Sequence, residues 1–192
     1  QHCGWFHVLP VRHLAKDGGL MAVIEAIATQ YLEADAATVT FSGIPATYEH
    51  LQLRASVRST ETVYAMRLKI NLNGDTGTNY SNHFLRGTGS SPTGYAATGV
   101  ARIEMSDGMH GSSLPAGEYA TFILDIPDYA NTNKNTTCSF MTGSALGHTD
   151  NRVQFGSGLW DNTDAVTTIL FTPNAGSFSR GCEFTLYGLN SA

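Results

Sequence analysis

The sequence is poor in charged side chains, and this shortage excludes several kinds of partner. Charged residues make up 14% of the 192 residues, against about 25% in an average soluble chain. Eleven Lys and Arg against sixteen Asp and Glu give a formal net charge of −5, without the basic excess that binds nucleic acid. No apolar stretch approaches the length of a membrane span. We therefore expect neither nucleic acid nor a membrane as a partner.

Cysteine is almost as scarce. Cys3, Cys138 and Cys182 are the three cysteines, and no Cys-x-x-Cys spacing occurs. This excludes a zinc cluster and a dense disulfide framework. Two readings of Cys138 and Cys182 stay open: a bridge, if their strands are neighbours, or two buried free thiols.

What replaces charge is Thr, Ser, Asn and 20 Gly, a composition that favours strands and turns over exposed amphipathic helices. Alternation of apolar and polar residues is the dominant pattern, as in Leu51–Arg58, where every second residue is apolar. Turn residues return every ten positions or so. We predict an all-β domain over residues 21–192, an antiparallel two-sheet sandwich of jelly-roll-like type, with an irregular N-terminal arm.

The predicted strands share this alternation or a short apolar run, and Phe122–Ile126 is expected to be central and covered on both faces. They are Ile24–Leu32, Thr38–Phe41, Leu51–Arg58, Tyr64–Leu72, Glu118–Ile126, Thr137–Met141, Arg152–Phe155, Val166–Thr172 and Glu183–Tyr187. The polar faces of Leu51–Arg58 and Tyr64–Leu72 favour pairing of these two strands in one sheet. Long Gly- and Ser-rich loops are predicted at Gly87–Gly99 and Asp107–Gly117.

The first twenty residues differ from the rest, with three of the seven histidines and no alternation. Three interpretations stay open: an arm that clasps a neighbouring subunit, an arm folded on its own domain, or an untranslated leader before Met21. The spacing of His2, His7 and His13 matches no metal site. We predict no metal from this segment.

The segment Asn73–Asn79 (NGDTGTN) places oxygen side chains at alternate positions, like the start of a calcium loop. It has one carboxylate and lacks the closing Glu. A hairpin turn built from Asn73-Gly74 and Asp75-Thr76-Gly77 is the favoured interpretation.

No catalytic arrangement stands out. Glycan hydrolysis needs two carboxylates about 5–10 Å apart, but any chain with sixteen acids offers pairs such as Asp125/Asp128 and Asp161/Asp164. No Gly-x-Ser-x-Gly elbow accompanies the histidines that could be placed in a Ser/His/Asp set, which are His83, His110 and His148. We therefore predict no enzyme activity, no catalytic residue, no metal ligand and no cofactor.

Four aromatic residues are candidates for contact with a glycan or a protein partner, because they combine a large apolar face with a polar tip. They are Tyr80, Tyr95, Tyr129 and Trp160. For each of them taken singly, a position in the core or at a sheet edge is the favoured interpretation.

Seven short phrases occur in a characteristic order. They are Phe41–Tyr48 (FSGIPATY), His50–Arg54, Asn73–Tyr80, Asp128–Asn135, Ser157–Trp160, Thr167–Pro173 and Phe184–Gly188. In this order they resemble a family of small virion structural proteins of tailed bacteriophages, over about Met21 to Asn190. The resemblance implies a non-enzymatic β-sandwich on the virion surface, as a capsid decoration (cement) protein, a head fibre or a tail-associated adhesin.

Our first functional expectation is a decoration protein that binds and stabilises the major capsid shell, as a homotrimer, since closed cyclic symmetry is usual for such subunits. The alternative is a tail or fibre adhesin that binds host surface glycan through its loop aromatics. An enzyme that degrades surface polysaccharide is the third possibility.

Overall fold

A computed structural model of the chain describes residues 23–89, 91–144 and 151–190. These residues form twelve strands in two antiparallel sheets and confirm the predicted all-β sandwich. Within these ranges, no helix has the length and apolar character needed to cross a membrane. The interpretations of residues 1–20, with His2, His7 and His13, lie outside the described residues, as does His148.

The strands are four to ten residues long. They are β1 (Ile24–Tyr31), β2 (Val39–Ser42), β3 (His50–Val57), β4 (Ala65–Leu72), β5 (Tyr80–Thr88), β6 (Ser91–Val100), β7 (Ile103–His110), β8 (Ala120–Pro127), β9 (Thr136–Ser144), β10 (Arg152–Trp160), β11 (Thr168–Pro173) and β12 (Glu183–Leu189).

The large sheet has eight strands in the order β1-β12-β3-β8-β9-β10-β5-β6, and the small sheet has four in the order β2-β11-β4-β7. From β1 to β5 the chain changes sheet at every step, and it changes again after β6, β7, β10 and β11. This repeated crossing between two antiparallel sheets is the jelly-roll arrangement. The hairpin β5-β6 and the meander β8-β9-β10 widen the large sheet.

The core lies between the two sheets, because alternation directs every second side chain inward. Phe171 of the small sheet is at its centre: its ring centroid lies 5.7 Å from that of Phe184 and 6.3 Å from that of Phe122, both in the large sheet. All three residues are almost fully buried. A single apolar cluster therefore joins the sheets.

The nine predicted strands are all present, but the pairing of two of them is wrong. The predicted strands Leu51–Arg58 and Tyr64–Leu72 correspond to β3 and β4, and these lie in different sheets rather than side by side. The chain crosses the sandwich between them, through residues 58–64. The segment Phe122–Ile126 is central as predicted, but its outer residue Ile123 is only half-buried, so one of its faces is not covered.

Both predicted long loops contain strand. Gly87–Gly99 holds most of β6, and Asp107 to His110 is the end of β7. The hairpin β5-β6 escaped prediction because its second strand is built of Gly, Ser, Thr and Ala, residues that also form loops. In the structure these residues pair with β5 from Ser91 onward.

The open question on the cysteines is answered. Cys138 and Cys182 are both buried free thiols. Cys138 lies in β9 and Cys182 directly precedes β12, and β3 and β8 separate these two strands in the large sheet. Burial raises the pKa of Cys138 to about 12 and that of Cys182 to about 11. Neither thiol is reactive at neutral pH.

Candidate functional site on the outer face of the large sheet

Three of the four predicted contact aromatics are core residues. Tyr80, Tyr129 and Trp160 are at most 1% exposed, which is the core placement favoured for each of them and excludes direct contact with a partner at the surface. Each lies at an inward position or under a loop, where its ring packs and its polar atom is hydrogen-bonded. Tyr95 is 50% exposed and stacks on Phe84, with ring centroids 5.2 Å apart. Its role in contact stays a prediction.

The segment Asn73–Asn79 contains a turn, the interpretation favoured over a calcium loop. Asn73 and Gly74 have φ of 51° and 70°, and the Asp75 amide donates to the Leu72 carbonyl at 2.9 Å, which is the geometry of a type I′ turn. The turn leads from β4 of one sheet to β5 of the other, so it redirects the chain rather than closing a hairpin.

The single carboxylate of this turn is occupied. Asp75 accepts hydrogen bonds from Trp160 Nε1 at 2.7 Å, from the Gly77 amide at 2.7 Å and from Asn79 Nδ2 at 2.9 Å. These donors, Trp160 first, hold the pKa of Asp75 below its usual value. In the described part of the chain, no three His, Cys, Asp or Glu residues are placed to hold a metal ion.

Three of the four carboxylates considered for hydrolysis, Asp125, Asp128 and Asp161, have hydrogen-bond or ion-pair partners within the protein. Asp125 accepts from Gln52 at 2.8 Å, and Asp161 accepts from Asn135. Asp128 pairs with Lys134 and lies 3.5 Å from His50.

Of the three histidines considered for a Ser/His/Asp set, His83 and His110 lie in the described residues. His110 is buried, and burial lowers its pKa, so it is neutral at pH 7. His83 is exposed on the outer face of the large sheet, opposite Ser157 of β10. Among the described residues, the depression that includes His83 is lined by no Asp or Glu.

The outer face of the large sheet carries a row of exposed apolar side chains that the sequence analysis did not single out. Phe155 of β10 pairs in register with Met141 of β9 on one side and with Leu85 of β5 on the other. We call these three residues the apolar row. Their exposed fractions are 65%, 48% and 56%, and Val153, two residues from Phe155 on the same face, is 55% exposed.

Alternation explains why the row points outward. In β10, Gln154, Gly156 and Gly158 point inward and are buried, which leaves Val153, Phe155 and Ser157 on the outer face. The same alternation places Met141 outward in β9 and Leu85 outward in β5. The apolar row is therefore fixed by the register of three neighbouring strands and does not depend on loop conformation.

The other half of the same face is polar. Arg54 of β3 lies over the ring of Tyr187 of β12, with its guanidinium carbon 5.6 Å from the centroid, and its Nε donates to Gln52 at 2.9 Å. Gln52 in turn donates to Asp125 at 2.8 Å. We call Arg54, Tyr187, Gln52 and Asp125 the polar network. Two of them, Arg54 and Tyr187, border a shallow depression of about 260 Å³.

Sequence reasoning missed the apolar row for a definite physical reason. Alternation in β9 and β10 was visible, but it does not tell which of the two faces meets the second sheet. The glycines at 156 and 158 were the feature of the sequence that could have identified the inner face of β10. A Cβ at Gly156 would lie 2.3 Å from the Phe140 ring, so this position is compatible only with the crowded inner face.

No protein-family model matches the sequence. No curated protein gives a significant match. Among solved structures, the chain is similar to the crystal structure of alginate lyase vAL-1 from Chlorella virus, at 7% identity and a TM-score of 0.26, over 81% of this chain and 83% of that chain. A TM-score this low carries no inference about fold or activity.

Proposed function

We propose that the protein is a non-enzymatic structural subunit of a bacteriophage virion, a decoration protein that binds the major capsid shell and stabilises it. The observation that carries the proposal is the apolar row on the outer face of the large sheet. Binding of this face to the shell covers Met141, Phe155 and Leu85, and it places the protein on the virion surface.

Physical chemistry supports an interface at this row. Burying a large apolar side chain that is exposed in the free protein contributes about 1.5–3 kcal/mol. Contiguous exposed apolar patches are rare on monomers and mark binding surfaces. The residues next to the row in β10 and β5 are Ser157 and His83, and neither is an Asp, Glu, Lys or Arg. Depletion of these charged residues is typical of interface cores.

The fold and the sequence support the same proposal in a general way. Jelly rolls are common in viral capsid proteins and in lectins, although a fold alone does not define a function. The seven phrases that resemble tailed-phage virion proteins favour the virion over other assemblies.

The proposal is tested with Phe155→Ser and Leu85→Ser, which remove apolar surface without touching the core. Capsids that lack the protein are mixed with each variant and sedimented, and the bound fraction is measured. We expect the double variant to bind at least roughly tenfold more weakly than the wild type, since two buried apolar contacts are lost. Tyr31→Ser is the matched control, because Tyr31 is exposed to a similar extent on β1, at the far edge of the sheet.

Binding of the double variant at wild-type strength would contradict the proposal. A second measurement addresses the particle itself. Particles without the protein should lose thermal stability and still adsorb to cells. Normal stability with failed adsorption would overturn the decoration function and favour the adhesin.

A host-glycan adhesin is the second candidate, and the polar network favours it. Arg54, Gln52 and Asp125 offer donors and acceptors beside the Tyr187 ring, the combination that binds sugar hydroxyls and sugar faces. The network is internally hydrogen-bonded, however, so a glycan would have to compete with existing partners. The apolar row has no such partner, and for that reason we rank the protein interface first.

A further inference from the structure

The four edges of the two sheets differ in how well they are protected against pairing with another strand. An exposed edge offers unpaired backbone groups, and proteins protect it with short strands, charges or bulges. The edge strand β2 has four residues. The edge strand β1 carries Glu25 and a bulge between Ala26 and Ala28, and β7 carries Glu104 and Asp107.

The remaining edge, β6, has little of this protection. Its ten residues, Ser91–Val100, include no charged side chain, and eight of them are exposed. Pro92 lies near one end, and at the other end Gly99 has φ of 64° where the pairing with β5 shifts register. Between these two features the edge is regular from residue 93 to residue 98.

The direction of the backbone groups in this stretch follows from Pro92. Pro92 pairs with Gly87 of β5 and has no N–H, so it occupies a position that does not donate to β5. Because such positions alternate along an antiparallel strand, Gly94, Ala96 and Thr98 direct their N–H and C=O groups away from β5. In the described residues, no strand pairs with this side of β6.

We propose that this edge binds β6 of a second copy of the chain, antiparallel and about a two-fold axis at Ala96. The two eight-stranded sheets then form one continuous sheet. In this register Ala96 opposes its own counterpart and Gly94 opposes Thr98, with about six backbone hydrogen bonds across the axis. The proposal goes beyond capsid binding and does not depend on it.

Two features favour a second copy as the occupant. The side chains at 94, 96 and 98 are small and uncharged, so two identical strands meet without the like-charge repulsion that a net charge of −5 makes probable elsewhere. Gly94 is the register partner of Leu85, so the apolar row reaches this edge. Pairing therefore places the apolar rows of both copies on one continuous outer face, offset along the strands because Gly94 opposes Thr98.

Tyr95 gains a role in this arrangement. It is on the inner side of β6, stacked on Phe84 and half exposed, at the centre of the regular stretch. Pairing about Ala96 brings the Tyr95 side chains of the two copies to positions beside the axis, where they cover each other. This is the partner contact expected for Tyr95, now assigned to self-association.

The test is the mass of the isolated protein in solution, measured by sedimentation equilibrium over a range of concentrations. The wild type should dimerise. Ala96→Lys places two like charges opposite each other on the axis and should weaken dimerisation roughly tenfold or more, as should Ala96→Asp. An equimolar mixture of the two variants should restore a dimer, because Lys then opposes Asp. Thr29→Lys, on the opposite edge strand β1, is the matched control and should dimerise like the wild type.

A wild type that stays monomeric at all concentrations would overturn the proposal, and so would a trimer, the threefold closure expected from the sequence. Unchanged dimerisation of the folded Ala96→Lys protein would do the same. Circular dichroism verifies folding. If Ala96→Lys does not fold, the double variant Gly94→Lys/Thr98→Lys replaces it, because it places Lys opposite Lys on both sides of the axis and an added Cβ at Gly94 meets no atom within 4 Å. Since capsid binding is measured separately on particles, either proposal can fail without the other.

Discussion

At the scale of single residues, Asp75 shows how a motif with the composition of a ligand site can be structural. Its carboxylate binds one indole, one amide side chain and one backbone amide, all within 2.9 Å. These donors come from the turn itself and from the end of β10. Asp75 therefore fixes the turn on top of the buried Trp160 ring, which stacks on Tyr80 with a centroid distance of 6.3 Å.

Replacing Asp75 with Asn should lower the free energy of unfolding by about 1–2 kcal/mol at pH 7. The loss arises because the amide of Asn offers one acceptor oxygen and brings an NH₂ group toward the donors. Urea denaturation followed by tryptophan fluorescence measures it. Asp164→Asn makes the same change of charge in a neighbouring loop and should change stability by less than about 0.5 kcal/mol.

The pH dependence of stability provides a second measurement on the same variant. The pKa of Asp75 is lower in the folded protein than its value of 3.8 in an unfolded chain. Its contribution is therefore fully present above the unfolded pKa and is lost as the pH falls through the folded pKa. The difference in stability between wild type and Asp75→Asn should shrink below about pH 4. A difference that stays constant down to pH 2 would contradict this role for the carboxylate.

At the scale of the strand, the two faces of β10 place opposite requirements on side-chain size. Its outer face presents Phe155, whereas its inner face has Gly156, which leaves room for the Phe140 ring of β9. A Cβ at this position would lie 2.3 Å from the ring and 2.6 Å from the His83 carbonyl oxygen.

Gly156→Ala should therefore destabilise the protein by about 1–3 kcal/mol, because the ring and the neighbouring strand must shift. Thermal or urea unfolding measures the loss. The control is Gly94→Ala in β6, where an added Cβ meets no atom within 4 Å. Equal stability of the two variants would show that the inner face has more space than the structure indicates.

The same strand shows how far sequence reasoning reaches. Alternation predicted Arg152–Phe155 correctly but ended the strand early, since Gly156-Ser157-Gly158 looks like a turn. In β6 a similar composition prevented prediction of the whole strand. Strand formation in both cases depends on partners distant in sequence, such as Phe140 for Gly156, and these partners cannot be inferred from local pattern. Trp160 and Tyr129 illustrate the same limit, since the local pattern left both a core position and a contact surface open for each of them, and both lie in the core.

At the scale of the whole molecule, stability depends on one core shared by both sheets. Phe171 contacts Phe41 within the small sheet and Phe184 and Phe122 of the large one. Removing its ring leaves a cavity at the contact between the sheets.

Phe171→Ala should lower the free energy of unfolding by about 3–5 kcal/mol. Because the sheets share this core, far-ultraviolet circular dichroism and tryptophan fluorescence should report the same shifted midpoint. Phe155→Ala removes the same ring from the outer face and serves as the control, with little expected loss. Two separate transitions would contradict a single cooperative core.

The order of strands in the large sheet also bears on how fast the protein can fold. β12, the last of the described strands, lies between β1 and β3, two of the first. Among the described strands β1 pairs with β12 alone, so it joins the sheet only after a segment distant in sequence is in place. Pairings between distant segments form slowly, and we expect refolding on the scale of about milliseconds to seconds, as for other sandwiches.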